Sequence, residues 1–183
     1  MATKTKWDFD PTHTEIAFKV KHLMITNVKG IFTEYNGSIY TTGEDFSTAE
    51  IDFWINPASL ETNTEQRNAH LKSADFFDIE HHKEITFTSN TIEKVDNDGS
   101  YELWGDLTIK GITKKIKLDV EFGGVVKDPW GGERAGFTIN GKVNRKDWGL
   151  NWNTVLEAGG VLVGDTVNIA CEVELVKKEV VES

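Results

Sequence analysis

One cysteine in 183 residues is too few for an intrachain disulfide, which fits a reducing compartment. Cys171 shares the phase of Val167, Ile169, Val173 and Leu175, so it reads as a buried, inert thiol rather than a nucleophile. No apolar run approaches the ~18 residues that a bilayer-spanning helix needs, and no transmembrane segment is expected. The start, Met1-Ala2-Thr3-Lys4-Thr5-Lys6, has lysines but no apolar stretch behind them. It lacks a secretory signal and points to the cytoplasm, or to the periplasm if a leader has been removed. Basic charge is also in deficit: 20 Lys and Arg against 30 Asp and Glu give a formal net charge of −10. A polyanion is repelled on average, so neither nucleic acid nor an anionic membrane is an expected partner.

What is present is alternation. Ile16, Phe18, Val20 and His22 fall on one face of a first strand, opposite Glu15, Ala17, Lys19 and Lys21. Val28 to Tyr40 reads as extended, kinked at Gly30 or Gly37, with Ile31, Thr33, Tyr35 and Ile39 in one phase. Ala49, Ile51, Phe53 and Ile55 form the next apolar set, ended by Pro57, which removes a ladder donor. Ile85 and Phe87 open a hairpin that turns at Asn97-Asp98-Gly99 and returns through Tyr101, Leu103, Gly105, Leu107 and Ile109. Ile116, Leu118, Val120 and Phe122 alternate cleanly with charged residues. After a loop at 128–132, Ala135, Phe137, Ile139, Gly141 and Val143 lead to Arg145. An irregular stretch from Asp147 to Asp165, carrying Trp152, Gly159 and Gly160, precedes a last strand at Thr166 to Leu175, with a charged, frayed tail after Val176. Trp54 and Trp104 fall in the opposite phase and should face outward.

About eight strands joined mostly by turns imply an all-β, antiparallel fold in one domain spanning 1–183. Pattern alone leaves barrel and sandwich open; long strands and short turns favour the barrel. One stretch does not alternate, Thr62 to Asp78. Thr62 and Glu65 have capping-box spacing, which predicts a helix from about Asn63 to Leu71. Ser73 can cap a second turn, and Leu71, Phe76 and Phe77 form an apolar seal for one barrel end.

Reactive chemistry is poorly represented. His13, His22, His70, His81 and His82 show no metal-ligand spacing, and no metal or cofactor is expected. His22 reads as an inner, hydrogen-bonded histidine, and His70 as a buttress of the barrel mouth or a head-group contact. Ser73, His70 and Asp78 make a triad only on paper, since no nucleophile elbow is present. Gly123-Gly124 and Gly131-Gly132 read as turn residues rather than a phosphate cradle.

The ordered set Asp10-Pro11-Thr12-His13, Val28-Lys29-Gly30-Ile31-Phe32, Arg67-Asn68-Ala69-His70-Leu71-Lys72-Ser73 with Phe76-Phe77-Asp78, Gly105-Asp106-Leu107-Thr108-Ile109 and Arg145-Lys146-Asp147-Trp148-Gly149-Leu150 resembles the YceI-like family of polyisoprenoid-binding proteins. Asn68 and Trp148 stand where that family more usually has aspartate and phenylalanine, and Lys83-Glu84 lacks its proline. The resemblance implies an extended, lipocalin-like barrel of about eight strands, often a dimer, with no catalytic machinery. Its interior would hold an isoprenoid or fatty amphiphile. The residues expected to meet that ligand are Phe18, Val20, His22, Phe32, Phe53, His70, Phe77, Phe87, Leu107, Phe137, Trp148 and Trp152. Two alternatives remain: an enzyme acting on an amphiphile inside the barrel, marked by clustered polar groups there, and a ligand-free interaction module, marked by a filled interior.

Overall fold

Period-two alternation needs partners on both sides of each strand, and a closed sheet supplies them without leaving an edge. The computed structural model, which describes residues 3–154 and 162–182, closes in this way. Its strands are β1 (Thr3–Phe9), β2 (Glu15–His22), β3 (Thr26–Phe32), β4 (Tyr35–Thr42), β5 (Asp45–Ile55), β6 (Leu60–Glu61), β7 (Ile85–Lys94), β8 (Ser100–Ile109), β9 (Ile112–Lys127), β10 (Glu133–Asn144) and β11 (Val163–Glu182). The antiparallel ring runs β1-β4-β5-β7-β8-β9-β10-β11, and β11 pairs back to β1. β11 also pairs with β2, which pairs with β3, which pairs with β6. Both β1 and β2 are antiparallel to β11, so they are successive segments of one broken stave; β4 and β3 form a second and β5 and β6 a third. The result is an eight-stave barrel longer than its individual strands.

Most of the inward phases match the sequence reading, and Trp54 and Trp104 lie on the outer face, where the Lys115 ammonium sits 5.6 Å from the Trp104 ring centre. Glycine is required where a ring crosses a neighbouring strand. A Cβ on Gly30 would come within 2.4 Å of Phe18, and one on Gly105 within 2.3 Å of Phe87. These glycines therefore seat aromatic rings rather than kink the chain. The break expected at Gly30 or Gly37 lies instead at Thr33-Glu34, between β3 and β4. It switches the phase, so Phe32 rather than Ile31 joins Ile39 in the interior.

The two chain ends depart from expectation together. The segment before Asp10 is strand β1, and the tail after Val176 is not frayed: Thr3 to Phe9 pair with Glu182 to Leu175 and complete the ring. The alternation of Thr5 and Trp7, both buried, is short and interrupted by lysines, which hides it in the sequence. The Trp7 indole donates to the Thr41 hydroxyl at 2.9 Å and packs 4.9 Å from Phe46, which in turn meets Phe122 and Phe137. This aromatic cluster floors the barrel. Gly123-Gly124 is not a turn: β9 runs through it, with Gly124 at φ +105° beside the register shift opposite Gly136 and Phe137, as in a β-bulge.

The other end is covered by α1 (Glu65–Lys72), one residue later at its end than expected. The capping box does not form. Asn63 takes a positive φ of 66° and Thr64 becomes the N-cap, while the Thr62 hydroxyl donates to Asn68 at 2.5 Å and accepts from Arg67 at 2.9 Å. Asn68 also donates to Glu61 at 2.9 Å, a contact that an aspartate at this position could not make. Ser73 closes the helix, and its carbonyl accepts from Phe76 and Asp78 in a tight turn. Of the stretch expected to be irregular from Asp147 to Asp165, only residues 149–154 and 162 are so among those described, because a 3₁₀ turn holds Asp147 and Trp148 and β11 already begins at Val163; Gly159 and Gly160 lie outside the described residues.

Candidate functional site

The inward side chains do not fill the barrel. They enclose a cavity of about 260 Å³, larger than the ~150 Å³ apolar cavities that stay dry and admit a benzene-sized guest. Rings from all along the barrel contribute, Phe18, Phe53, Phe87, Phe137 and Trp148 among them, and most of the remaining wall is aliphatic. Arg145 is the one charged residue among the described lining residues.

Of the residues expected to meet a ligand, Phe18, Phe32, Phe53, Phe77, Phe87, Leu107, Phe137 and Trp148 share this wall. Val20, His22, His70 and Trp152 do not. Val20 is half-buried and paired to Val28 and to Val167; Val167 belongs to the wall, and Val20 lies just outside it. His22 is exposed at the end of β2, where its carbonyl rather than its ring is used, accepting from Ile25. The expectation of an inner histidine fails because the stave outruns the cavity there. His70 and Trp152 stand behind the wall: the His70 ring lies perpendicular to Trp152 at 4.4 Å, 5.2 Å from Phe76, and bonds Asp75 at 2.9 Å. They buttress Phe76, the buried member of the seal, while Phe77 faces the cavity and Phe32.

Arg145 was not singled out as a lining residue, although it continues the inward series Phe137, Ile139, Gly141, Val143. It is 3 % exposed. Its Nε donates to the Gly164 carbonyl at 2.8 Å, and Nη1 donates to Leu150 and, at 2.9 Å, to Trp152. Asp165, half-exposed, is its nearest carboxylate at 3.8 Å. Burial pushes the guanidinium pKa down, against a smaller upward pull from Asp165. A 3₁₀ turn at Arg145–Trp148 sets this geometry, ended by Gly149 at φ 76°, and the Trp148 indole donates to the Leu107 carbonyl at 2.9 Å.

A second polar group lies on the outside. Asp10, His13 and Glu174 converge closely enough to hold a cation, but Arg134 supplies the positive charge. Its Nη1 lies 2.6 Å from Asp10 and 2.8 Å from Glu174, and its Nε lies 3.0 Å from Asp128. Hydrogen bonds from Thr12, His13 and Arg134 hold the Asp10 carboxyl well below its usual range, and Asp10 raises His13. The paper triad is not assembled either: the Ser73 hydroxyl donates to the His70 carbonyl at 2.5 Å, and Asp78 pairs with His81 at 3.0 Å. Burial pushes the Cys171 thiol up to about 11. No helix among the described residues is long and apolar enough to cross a membrane.

Comparison with known proteins agrees with this architecture. A UPF0312 protein of Staphylococcus epidermidis is 39 % identical over 171 residues, covering 93 % of this chain and 96 % of its own. The crystal structure of the Campylobacter jejuni YceI protein is 37 % identical, with a TM-score of 0.74 over 87 % of this chain and 90 % of that one. A polyisoprenoid-binding domain from Saccharophagus degradans, at 16 % identity and a TM-score of 0.68, shares the fold over 94 % of this chain and 98 % of its own. The YceI-like domain profile matches residues 7–175, and the chain belongs to the YceI-like family.

Proposed function

We propose that the barrel binds one elongated apolar chain, a polyisoprenoid or a similar amphiphile, and carries or sequesters it without chemistry. The observation that carries this reading is a cavity whose wall is apolar except at Arg145. Transfer of such a chain from water is worth about 0.8 kcal/mol per buried CH₂. The description of the Saccharophagus degradans domain as polyisoprenoid-binding supports the ligand class. At about 260 Å³ the cavity falls just below the ~300–1,000 Å³ usual for ligand pockets. It suits a short branched segment as it stands, and a longer chain requires rings such as Phe18 or Phe77 to turn aside.

The enzyme alternative asks for a cluster of mutually bonded polar groups on the wall. Arg145 there is committed to backbone carbonyls, and Cys171 is held as a thiol. A filled interior, the mark of a ligand-free module, is at odds with the open volume. Mass spectrometry of an organic extract of the purified protein tests the reading: one apolar amphiphile near molar equivalence is expected. An extract free of lipid, from protein that also fails to take up added isoprenoid alcohols, would overturn it.

A further inference from the structure

We infer that the β2–β3 hairpin tip and the lysine-rich outer wall beside it form a docking surface for an anionic lipid bilayer. This goes beyond the cargo reading and stands whether or not the cavity holds a chain.

The tip is Leu23-Met24-Ile25, three consecutive large apolar residues exposed by 38, 52 and 76 %. Single exposed apolar residues are ordinary, whereas a run at a projecting turn marks a contact. Its backbone strengthens the point. The Ile25 amide closes a turn on the His22 carbonyl, and both central residues are left-handed, Leu23 at φ 54° and Met24 at φ 59°. Asn-Gly ordinarily fills such a turn, because branched and long side chains are strained there. The neighbouring β8–β9 turn at the same barrel end, with the same handedness, uses Lys110-Gly111. The tip thus keeps two large apolar side chains in a conformation that disfavours them, and nothing among the described residues buries them in return.

Charge selects the partner. Lys19, Lys114, Lys115, Lys117 and Lys142 line one depression on the outer wall, with Asp119 and Asp147 as its acidic members. Lys117 is paired to Glu102 and Asp119; Lys19, Lys114, Lys115 and Lys142 have no carboxylate partner among the described residues. Register puts Lys19 opposite Asn168 and Asn168 opposite Lys142, so the row lies across adjacent strands spaced ~4.8 Å apart and ~13 Å along β2 from the tip. The whole-chain charge of −10 bears little on this face, since charges more than ~8–10 Å away are screened at physiological salt. Local excess decides, and each lysine near an anionic surface contributes about fivefold in binding. An apolar tip flanked by unpaired lysines fits a bilayer of anionic phospholipid, with the α1-covered end facing the membrane.

The test is co-sedimentation of the intact protein with vesicles of phosphatidylcholine alone or mixed with phosphatidylglycerol, at low and high salt. Binding is expected only to the mixed vesicles and should fall with salt. Met24→Asp with Ile25→Asp should lower it by about tenfold or more. Leu23→Asn with Met24→Gly keeps the turn and should lose binding while melting no lower than the parent, which separates docking from folding. Lys114→Glu with Lys115→Glu should weaken binding and flatten its salt dependence. Parent protein that stays in the supernatant, or tip variants that bind like it, overturns the inference. So does a parent dimer that the Leu23→Asn, Met24→Gly protein converts to monomer without loss of vesicle binding.

Discussion

Arg134 and Arg145 stand at opposite ends of β10 and are held in opposite ways. Arg134 is on the outer wall and meets three carboxylates, which raise its pKa. Arg145 is inside and meets four backbone carbonyls, those of Gly164, Leu150, Trp152 and Val163, while burial lowers its pKa. The first ties the β1–β2 break to β10 and β11 by charge. The second organises the irregular loop after β10 by hydrogen-bond geometry and leaves a cation in the wall of an apolar cavity. The Arg134 cluster is only partly buried, and water still competes for its ion pairs, whereas fully buried polar groups cannot lose their partners without leaving others unpaired.

The largest effect should therefore follow from Arg145→Met. It strands the carbonyls of Leu150, Trp152 and Gly164 at roughly 1–3 kcal/mol each if they stay dry, so urea unfolding should show a loss of about 3 kcal/mol or more. A loss under about 1 kcal/mol would mean that water replaces the guanidinium, and the contrast between the two arginines would fail. Phe76, whose ring lies 6.0 Å from the Arg145 guanidinium and is 5 % exposed, ranks next. Phe76→Ala should cost about 3 kcal/mol. Phe77→Ala, with its ring partly open to the cavity, should cost less and act mainly on ligand uptake.

Arg134→Gln should destabilise less than either, and its effect should depend on pH. The folded-state pKa of Asp10 is depressed, so its contribution is present above the ordinary value near 3.9 and is lost as pH falls below it. That of His13 is raised, so its contribution is full below about 6.5 and is lost as pH rises through the elevated value. Melting temperatures of the parent should accordingly drop on acidification more steeply than those of Arg134→Gln. An NMR titration should place His13 above 6.5 in the parent and lower in Asp10→Asn. Parallel melting curves across this range would show that the cluster is not coupled to folding. The smallest effect concerns Cys171, which should resist iodoacetamide at neutral pH in the native state and react on unfolding, as a buried thiol pushed up to about 11 requires. Rapid native labelling would contradict its placement in the wall.

The barrel was legible because alternation in β5 and β7 to β11 is carried by long side chains that must all point one way. Trp7 and the pairing of the two chain ends were not, since a short strand with interleaved lysines carries little periodic signal and register between distant segments is a tertiary property. The cavity wall followed from the same alternation wherever a stave spans the interior. His22 and Val20 were misplaced because alternation says which face a residue occupies and not where along the stave the cavity stops. The capping box failed for a local reason: Arg67 and Asn68 compete for Thr62, and Asn63 turns left-handed. Arg145 was in phase with the lining all along, yet a charge at the end of an apolar series reads as a strand terminus unless burial is known.

Isothermal titration with isoprenoid alcohols of increasing length tests the central claim most directly. Affinity should rise by up to about fourfold per added CH₂, then level off once the cavity is full, with a negative heat-capacity change. Salt should have little effect, and Phe137→Asp should weaken the whole series. Affinities independent of chain length, or the same for Phe137→Asp as for the parent, would contradict the account of the barrel as a container for an apolar chain.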